Sequence, residues 1–245
     1  MKRIGILGAI VTLGLLVSGM QTSANTARPV DTIYDFYLGG IKAGEVSIDA
    51  DVSGDRYRAT SILRTAGVVG FFYKASFEAE TEGTLAPGGL MPARFHADSR
   101  MRTKEQSVEM RYANNAPREV LAEPAFDPRP WQVDPTEQIG ALDPISAAIS
   151  ALAPMPRAEI CNRSVDVFDG RRRYSIDLGK PVVDGKRIKC PALYRRVAGF
   201  KPKMMKKNPA FPFNIWYEER PDGMAHIVRA AGESMFGLAV ILLRK

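Results

Sequence analysis

Strict alternation of apolar and polar residues recurs along most of this chain, and it constrains the fold more than any other feature. In 45–52, Val46, Ile48, Ala50 and Val52 face one way, while Glu45, Ser47, Asp49 and Asp51 face the other. In 75–82, Ala75, Phe77, Ala79 and Thr81 oppose Ser76, Glu78, Glu80 and Glu82. The runs 93–102 and 105–112 repeat the pattern, with Phe95, Ala97, Met110 and Tyr112 on their less polar faces. A period of two is the signature of an antiparallel strand with one face dry and the other wet. Noisier runs of the same kind occupy 31–38, 56–65, 117–121, 162–168, 172–179, 186–198, 213–220, 224–231 and 234–243. Asp169-Gly170, Asp184-Gly185 and Asp222-Gly223 punctuate them as tight hairpin turns, which need positive φ. One segment reads as helix: Asp143 as N-cap, Pro144 at the first helical position, then Ile145 to Leu152.

So many strands in one sheet curl, split or close. The expected fold is mainly β, a large curled antiparallel sheet or open barrel of about 12–13 strands with one short helix against its inner face or mouth. A two-sheet sandwich is the competing architecture. The expected organisation is one domain over 25–245. Its halves, 25–121 and 157–245, are joined by a Pro-rich loop and helix spanning 122–156. An outer-membrane barrel is disfavoured, because its outward face would have to be apolar and here one face of most strands is ionic.

The first residues read as an address. Lys2 and Arg3 precede an apolar run from Ile4 to Val17, followed by small and polar residues, with cleavage expected after Ala24. The run is short for a spanning helix, which needs about 20 apolar residues. No cysteine follows it, which argues against a lipid anchor. The leader over 1–24 implies export, and its shortness fits the bacterial periplasm. Export in turn implies that Cys161 and Cys190 pair, because thiols oxidise there. A simple meander would place them on strands two apart, about 9–10 Å and too far for a bridge. The pairing therefore requires Cys161 to lie ahead of its strand, or the strands to be reordered.

Charge is uneven. Residues 25–156 carry net −5 and residues 157–245 net +10. The basic half concentrates its charge at Arg171, Arg172 and Arg173, at 186–189, at 195–196, and at Lys201, Lys203, Lys206 and Lys207. Such a surface steers toward anions. Outside the cytoplasm these are lipid headgroups and acidic glycans rather than nucleic acid. The loop 200–213 interleaves its lysines with Met204, Met205, Phe211 and Phe213, a pattern suited to peripheral membrane contact. The apolar link 67–72 reads as a short buried turn or the border of a pocket.

No chemistry stands out. Asp49, Asp51, Ser53 and Gly54 imitate a calcium loop, but the twelfth position is Thr60 where a bidentate acid is needed. His96 falls on a polar face between Arg94 and Asp98, His226 has no acid spaced to orient it, and Ser234 misses the nucleophile-elbow spacing. Neither a catalytic set, a metal site nor a cofactor motif is expected.

Several segments in order carry a likeness to a known family. They are Tyr34 to Gly44, the Gly83, Pro87, Pro92 and Phe95 segment, Asp143 to Ala147, Val167 to Tyr174, and Cys190 through Tyr194 to Phe200. Together they resemble an exported bacterial family known as domain of unknown function 3108. The resemblance covers nearly all of the chain after the leader and implies a fold, not a chemistry. More loosely, the leader, strand meander and inserted helix are similar to periplasmic lipoprotein carriers, whose half-barrel holds acyl chains. The reading that follows is a non-catalytic carrier or sensor of a lipid-like amphiphile, with Phe77, Phe95 and Tyr112 walling its concave face. The alternative is an envelope module that binds a protein or anionic glycan through the basic half.

Overall fold

The computed structural model describes residues 30–234 and 237–244. The leader read over 1–24 and its cleavage point lie outside them. The first half supplies β1 (Val30–Leu38), β2 (Ile41–Ser53), β3 (Arg56–Thr65), helix α1 (Gly67–Phe72), β4 (Ala75–Ala86), β5 (Gly89–Met101), β6 (Lys104–Ala113) and β7 (Ala116–Glu123). The connector holds helix α2 (Pro144–Leu152) and the two-residue β8 (Met155–Pro156). The second half supplies β9 (Arg163–Phe168), β10 (Arg173–Leu178), β11 (Val182–Asp184), β12 (Arg187–Ala198), helix α3 (Pro202–Lys207), β13 (Ala210–Glu219), β14 (Met224–Ser234) and β15 (Gly237–Leu243).

All strands join one antiparallel sheet in the order β7-β6-β5-β4-β3-β2-β1-β15-β14-β13-β12-β10-β9, with β11 added on β12 and β8 on β14. The expected strands form this path, and the two additions are too short to show alternation. The sandwich is thereby excluded. Each half is a meander, and the first and last strands zip the halves together, Tyr34 opposite Leu243 and Leu38 opposite Ala239.

The sheet curls without closing, since β7 and β9 are not paired with each other. The connector fills the gap between them. Gly140 N–H donates to Asn115 O at the β6–β7 turn. On the other edge, Leu142 N–H donates to Asp166 O, and Phe168 N–H donates to Leu142 O. The β9–β10 turn reaches across as well: a Cβ on Gly170, whose φ is +89°, would stand 2.8 Å from Val108 and 3.4 Å from Val120. Covering edge strands in this way removes free templates for pairing with other chains.

Alternation dictates which side is dry. Ile48, Ala50, Ala59, Ala79, Phe95, Ala97 and Met110 are buried together with Ile145 and Ile149 of α2, which lies against the concave face. A second cluster gathers Tyr34, Ile188, Ile215, Tyr217, Ala225 and Ile227 around the cysteines. Val46 and Leu152 pack against both clusters. The convex face of the first half carries cross-strand ion pairs such as Arg58–Glu82, Arg64–Glu78 and Arg94–Glu109.

Three helices replace the expected one. The apolar link at 67–72 is helix α1, and it is not buried: Phe71 and Phe72 are each 79% exposed and Val68 is 63% exposed. Six residues cannot display a 3.6-residue period, and their β-branched and aromatic side chains read as strand or turn. The loop after Phe200 contains α3, which begins at Pro202 and ends on Lys206 and Lys207. Proline at the start and cations in the last turn are both favourable to a helix.

Candidate functional site

A cleft of about 620 Å³ opens at one mouth of the curl. Its walls come from three elements brought together by the curl. The tip of the β4–β5 hairpin gives Leu85, Leu90 and Met91; the last turn of α2 gives Ile149 and Ala153; β9 and the residues before it give Glu159, Arg163 and Val165. Apolar and polar groups share the lining, so the cleft suits a molecule with both kinds of surface.

Arg163 is the polar residue there that the sequence reading missed. Its Nη1 donates to Ser150 O at 2.9 Å, which ties β9 to α2. Its Nε and Nη2 are buried and find no well-aligned acceptor among the described residues. The guanidinium stands close enough to the Tyr217 hydroxyl to draw its pKa down, against a burial effect that raises it further. A guanidinium in the lining of a half-apolar cleft favours an anionic or strongly accepting group. Nothing in the spacing of 162–168 distinguishes Arg163 from a solvated strand residue.

Beneath the cleft α2 is anchored by a polar knot. Asp143 Oδ1 accepts from Ile145 N–H and Ser146 N–H, both at 2.9 Å. Its Oδ2 accepts from Ser146 Oγ at 2.5 Å and from Thr81 Oγ1 at 2.9 Å. The Tyr57 hydroxyl lies 2.8 Å from Ser146 Oγ. Burial raises the Asp143 carboxyl above its ordinary value, and the hydrogen bonds pull the other way. Asp143 and Ser146 are fully buried, so this acid–hydroxyl set fixes a helix to a sheet and does not meet a substrate. The sequence reading found Asp143 as a cap but not its partners on β3 and β4.

Phe95 is 2% exposed and packs in the first core, with Phe77 and Tyr112 packed against it. These three are the wall onto which α2 is laid, and none of them lines the open cleft. The basic candidates divide. Arg171 stacks over Phe126 and Arg172 over Phe200, with guanidinium carbons 5.2 Å and 5.5 Å from the ring centres. Arg173 pairs with Asp166 at 2.6 Å. Lys203, Lys206 and Lys207 are exposed on α3. Cys161 and Cys190 form a disulfide with Cα atoms 5.6 Å apart. The bridge is possible because Cys161 precedes β9, as the geometric argument required. His96 pairs with Asp98 at 3.2 Å on the outer surface. Trp216 points outward, donating to Asp184 beneath the Arg229 guanidinium, while Ile215 and Tyr217 point inward. Among the described residues no group of three or more His, Cys, Asp or Glu could hold a metal ion. No helix among them is long and apolar enough to cross a membrane.

A family model described as "Protein of unknown function (DUF3108)" matches residues 33–244. The chain belongs to this family. The match runs from β1 to the end of β15, so the DUF3108 unit is the whole curled sheet with its connector. Among solved structures, the chain is similar to a β-barrel-like protein of domain of unknown function DUF1849 from Brucella abortus. The two are 12% identical over 89% of this chain and 97% of that one, with a TM-score of 0.46. No curated protein matches.

Proposed function

We propose that this DUF3108 protein is a non-catalytic binding protein of the periplasm that takes a lipid-like amphiphile. The cleft at the mouth of the curl is the observation that carries this reading. Its volume of about 620 Å³ falls in the usual range of small-molecule sites. Leu85, Leu90, Met91 and Ile149 would receive an apolar chain, and the positive charge of Arg163 in the lining would favour an acidic or carbonyl-bearing head. The ligand enters beside α2 rather than filling the concavity, because Ile145, Ile149 and Phe95 already occupy the interior. The leader read in the sequence supports export.

Native mass spectrometry of the purified protein, together with uptake of a fluorescent fatty acid, tests the reading. The protein is expected to carry or take up the amphiphile, and Ala153→Trp, which fills the cleft, is expected to abolish uptake. A protein that neither copurifies with lipid nor takes up the probe, or an Ala153→Trp variant that takes it up unchanged, refutes it.

The exposed lysines of α3 favour a second reading, an envelope module for a protein or anionic glycan. Pull-down from envelope extract, with Lys203, Lys206 and Lys207 reversed to Glu, tests that reading. A stoichiometric partner that survives the reversal excludes α3 as the interface.

A further inference from the structure

Strand direction sorts the connections of the sheet into two ends. The cleft opens at the end holding the β4–β5 and β6–β7 turns. The opposite end holds the β1–β2 turn, α1, the β5–β6 turn, the start of the connector after β7, the β9–β10 turn and α3.

At that opposite end apolar side chains project without cover. Phe71 and Phe72 are each 79% exposed and meet edge to face, their ring centres 5.1 Å apart. No residue of α1 is buried, and α1 carries no charge, so it is not a core helix. Ile41 beside the β1–β2 turn is 55% exposed and Met101 beside the β5–β6 turn is 54% exposed. Met204 on α3 and Leu238 at the start of β15 are exposed as well. Separate connections therefore each offer an apolar tip at the same end, and paired aromatics are costly to leave in water.

Charge follows the same division. The described connections of this end, 39–40, 66–74, 102–103, 124–130, 169–172 and 199–209, hold nine basic residues and two acids. Of these acids, Asp127 pairs with Arg129, and Asp169 faces inward and accepts from the backbone N–H groups of Arg171 and Arg172. The turns of the cleft end, 54–55, 87–88, 114–115, 157–162, 179–181, 185–186 and 220–223, hold four basic residues and three acids. Lys201, Lys203, Lys206 and Lys207 enter no ion pair among the described residues. From β3 to β12 is six strand spacings, about 29 Å along the sheet. On a curled sheet α1 and α3 thus stand well apart on one rim, with Ile41 and Leu238 between them.

We infer that this rim docks onto an anionic lipid surface, α1 seating Phe71 and Phe72 among the acyl chains while the α3 lysines meet the headgroups. A small anion held by the α3 lysines alone would leave the aromatic tips of α1, six strand spacings away, in water. Apolar tips beside unpaired lysines complement a bilayer carrying acidic headgroups on both counts. This inference does not depend on the cleft, which opens at the other end.

The test is flotation of the full chain with vesicles of phosphatidylcholine, with and without phosphatidylglycerol. Binding is expected only with phosphatidylglycerol, and it weakens as salt rises from about 0.1 M to 1 M and the screening length shrinks from about 10 Å to about 3 Å. Phe71→Ser with Phe72→Ser is expected to weaken binding about tenfold or more. Lys203→Glu, Lys206→Glu and Lys207→Glu together are expected to abolish it. Because all five side chains are exposed, the Phe variant keeps the wild-type unfolding curve, and the Lys variant stays folded with only a small shift from losing the cations in the last turn of α3. Absence of binding to either vesicle overturns the inference. So does loss on lysine reversal with no effect of the Phe substitutions, which would describe a polyanion site. The cleft-filled Ala153→Trp protein should float as the wild type does, which separates failure of the docking inference from failure of the carrier reading.

Discussion

Asp143 joins three jobs in one carboxylate. It caps α2, it holds Ser146, and through Thr81 it ties the helix to β4. Removing it by Asp143→Ala leaves two helix N–H groups and two buried hydroxyls with fewer partners, a loss of about 2–4 kcal/mol measured by urea unfolding. The same residue makes stability depend on pH with a defined sign. Burial holds its carboxyl above the ordinary 3.8, so the folded chain keeps this proton where the unfolded chain has released it. Its contribution is therefore full below the unfolded pKa and is lost as pH rises from there through the folded pKa. Asp143→Asn retains a capping oxygen and does not titrate. The stability of the wild type minus that of Asp143→Asn is expected to fall as pH is raised from below 3.8 toward neutrality. A difference that rises over that interval would mean that the four hydrogen bonds outweigh burial.

Among the elements, the strands were legible because a half-wet sheet writes its pleat directly into the sequence. Ile48, Ala50, Ala79, Phe95 and Met110 are buried where alternation put them. The helix α2 was legible through Asp143-Pro144. The short helices α1 and α3 were not, since their length hides periodicity, although Pro202 at the start of α3 was a usable signal. Of the long-range contacts, sequence reached the cysteine pair. It could not reach the cleft, whose walls lie on β4, β5, α2 and β9 and meet only after the sheet curls. The disulfide shows how a distance argument can decide such a point, because β9 and β12 flank β10 and only a cysteine ahead of β9 can cross to β12. The bridge closes a loop with a sequence separation of 29 residues. Constraining such a loop in the unfolded chain stabilises the fold by about 3–4 kcal/mol in the chain-entropy model. Urea unfolding of Cys161→Ser with Cys190→Ser is expected to show a loss of that order. The sheet should stay intact in far-UV circular dichroism, because β9, β10 and β12 keep their ladders. An unchanged midpoint would mean that the unfolded chain is already compact there.

At the scale of the whole molecule, the sequence asymmetry of charge becomes a spatial one. The first half of the chain forms one side of the sheet, from β7 to β1, and the second half forms the other, from β15 to β9. What unites them is the pairing of the chain's first and last described strands. Arg244 reaches Asp35, 209 residues away in sequence, and also Glu45 on β2. Each apolar cluster is drawn mainly from one half, although Phe168 of β9 joins the first and Tyr34 of β1 the second, and Val46 and Leu152 pack against both. β15 is then the element on which cooperativity turns, for it pairs with β1 on one side and β14 on the other. Without it both neighbours become edges, and Ile241 and Leu243, packed against the second cluster, are lost. A pairing of such long range forms late, after the entropy of closing most of the chain has been overcome. The full chain is therefore expected to unfold in one transition, with tryptophan fluorescence (Trp131 and Trp216) and far-UV circular dichroism coincident. A chain ended after Ser234 is expected to lose the folded signal of both halves together. Survival of a cooperative transition in the truncated chain, with slow amide exchange confined to β2 through β6, would show instead that the first cluster and α2 make an independent unit, with β15 a clasp between two modules.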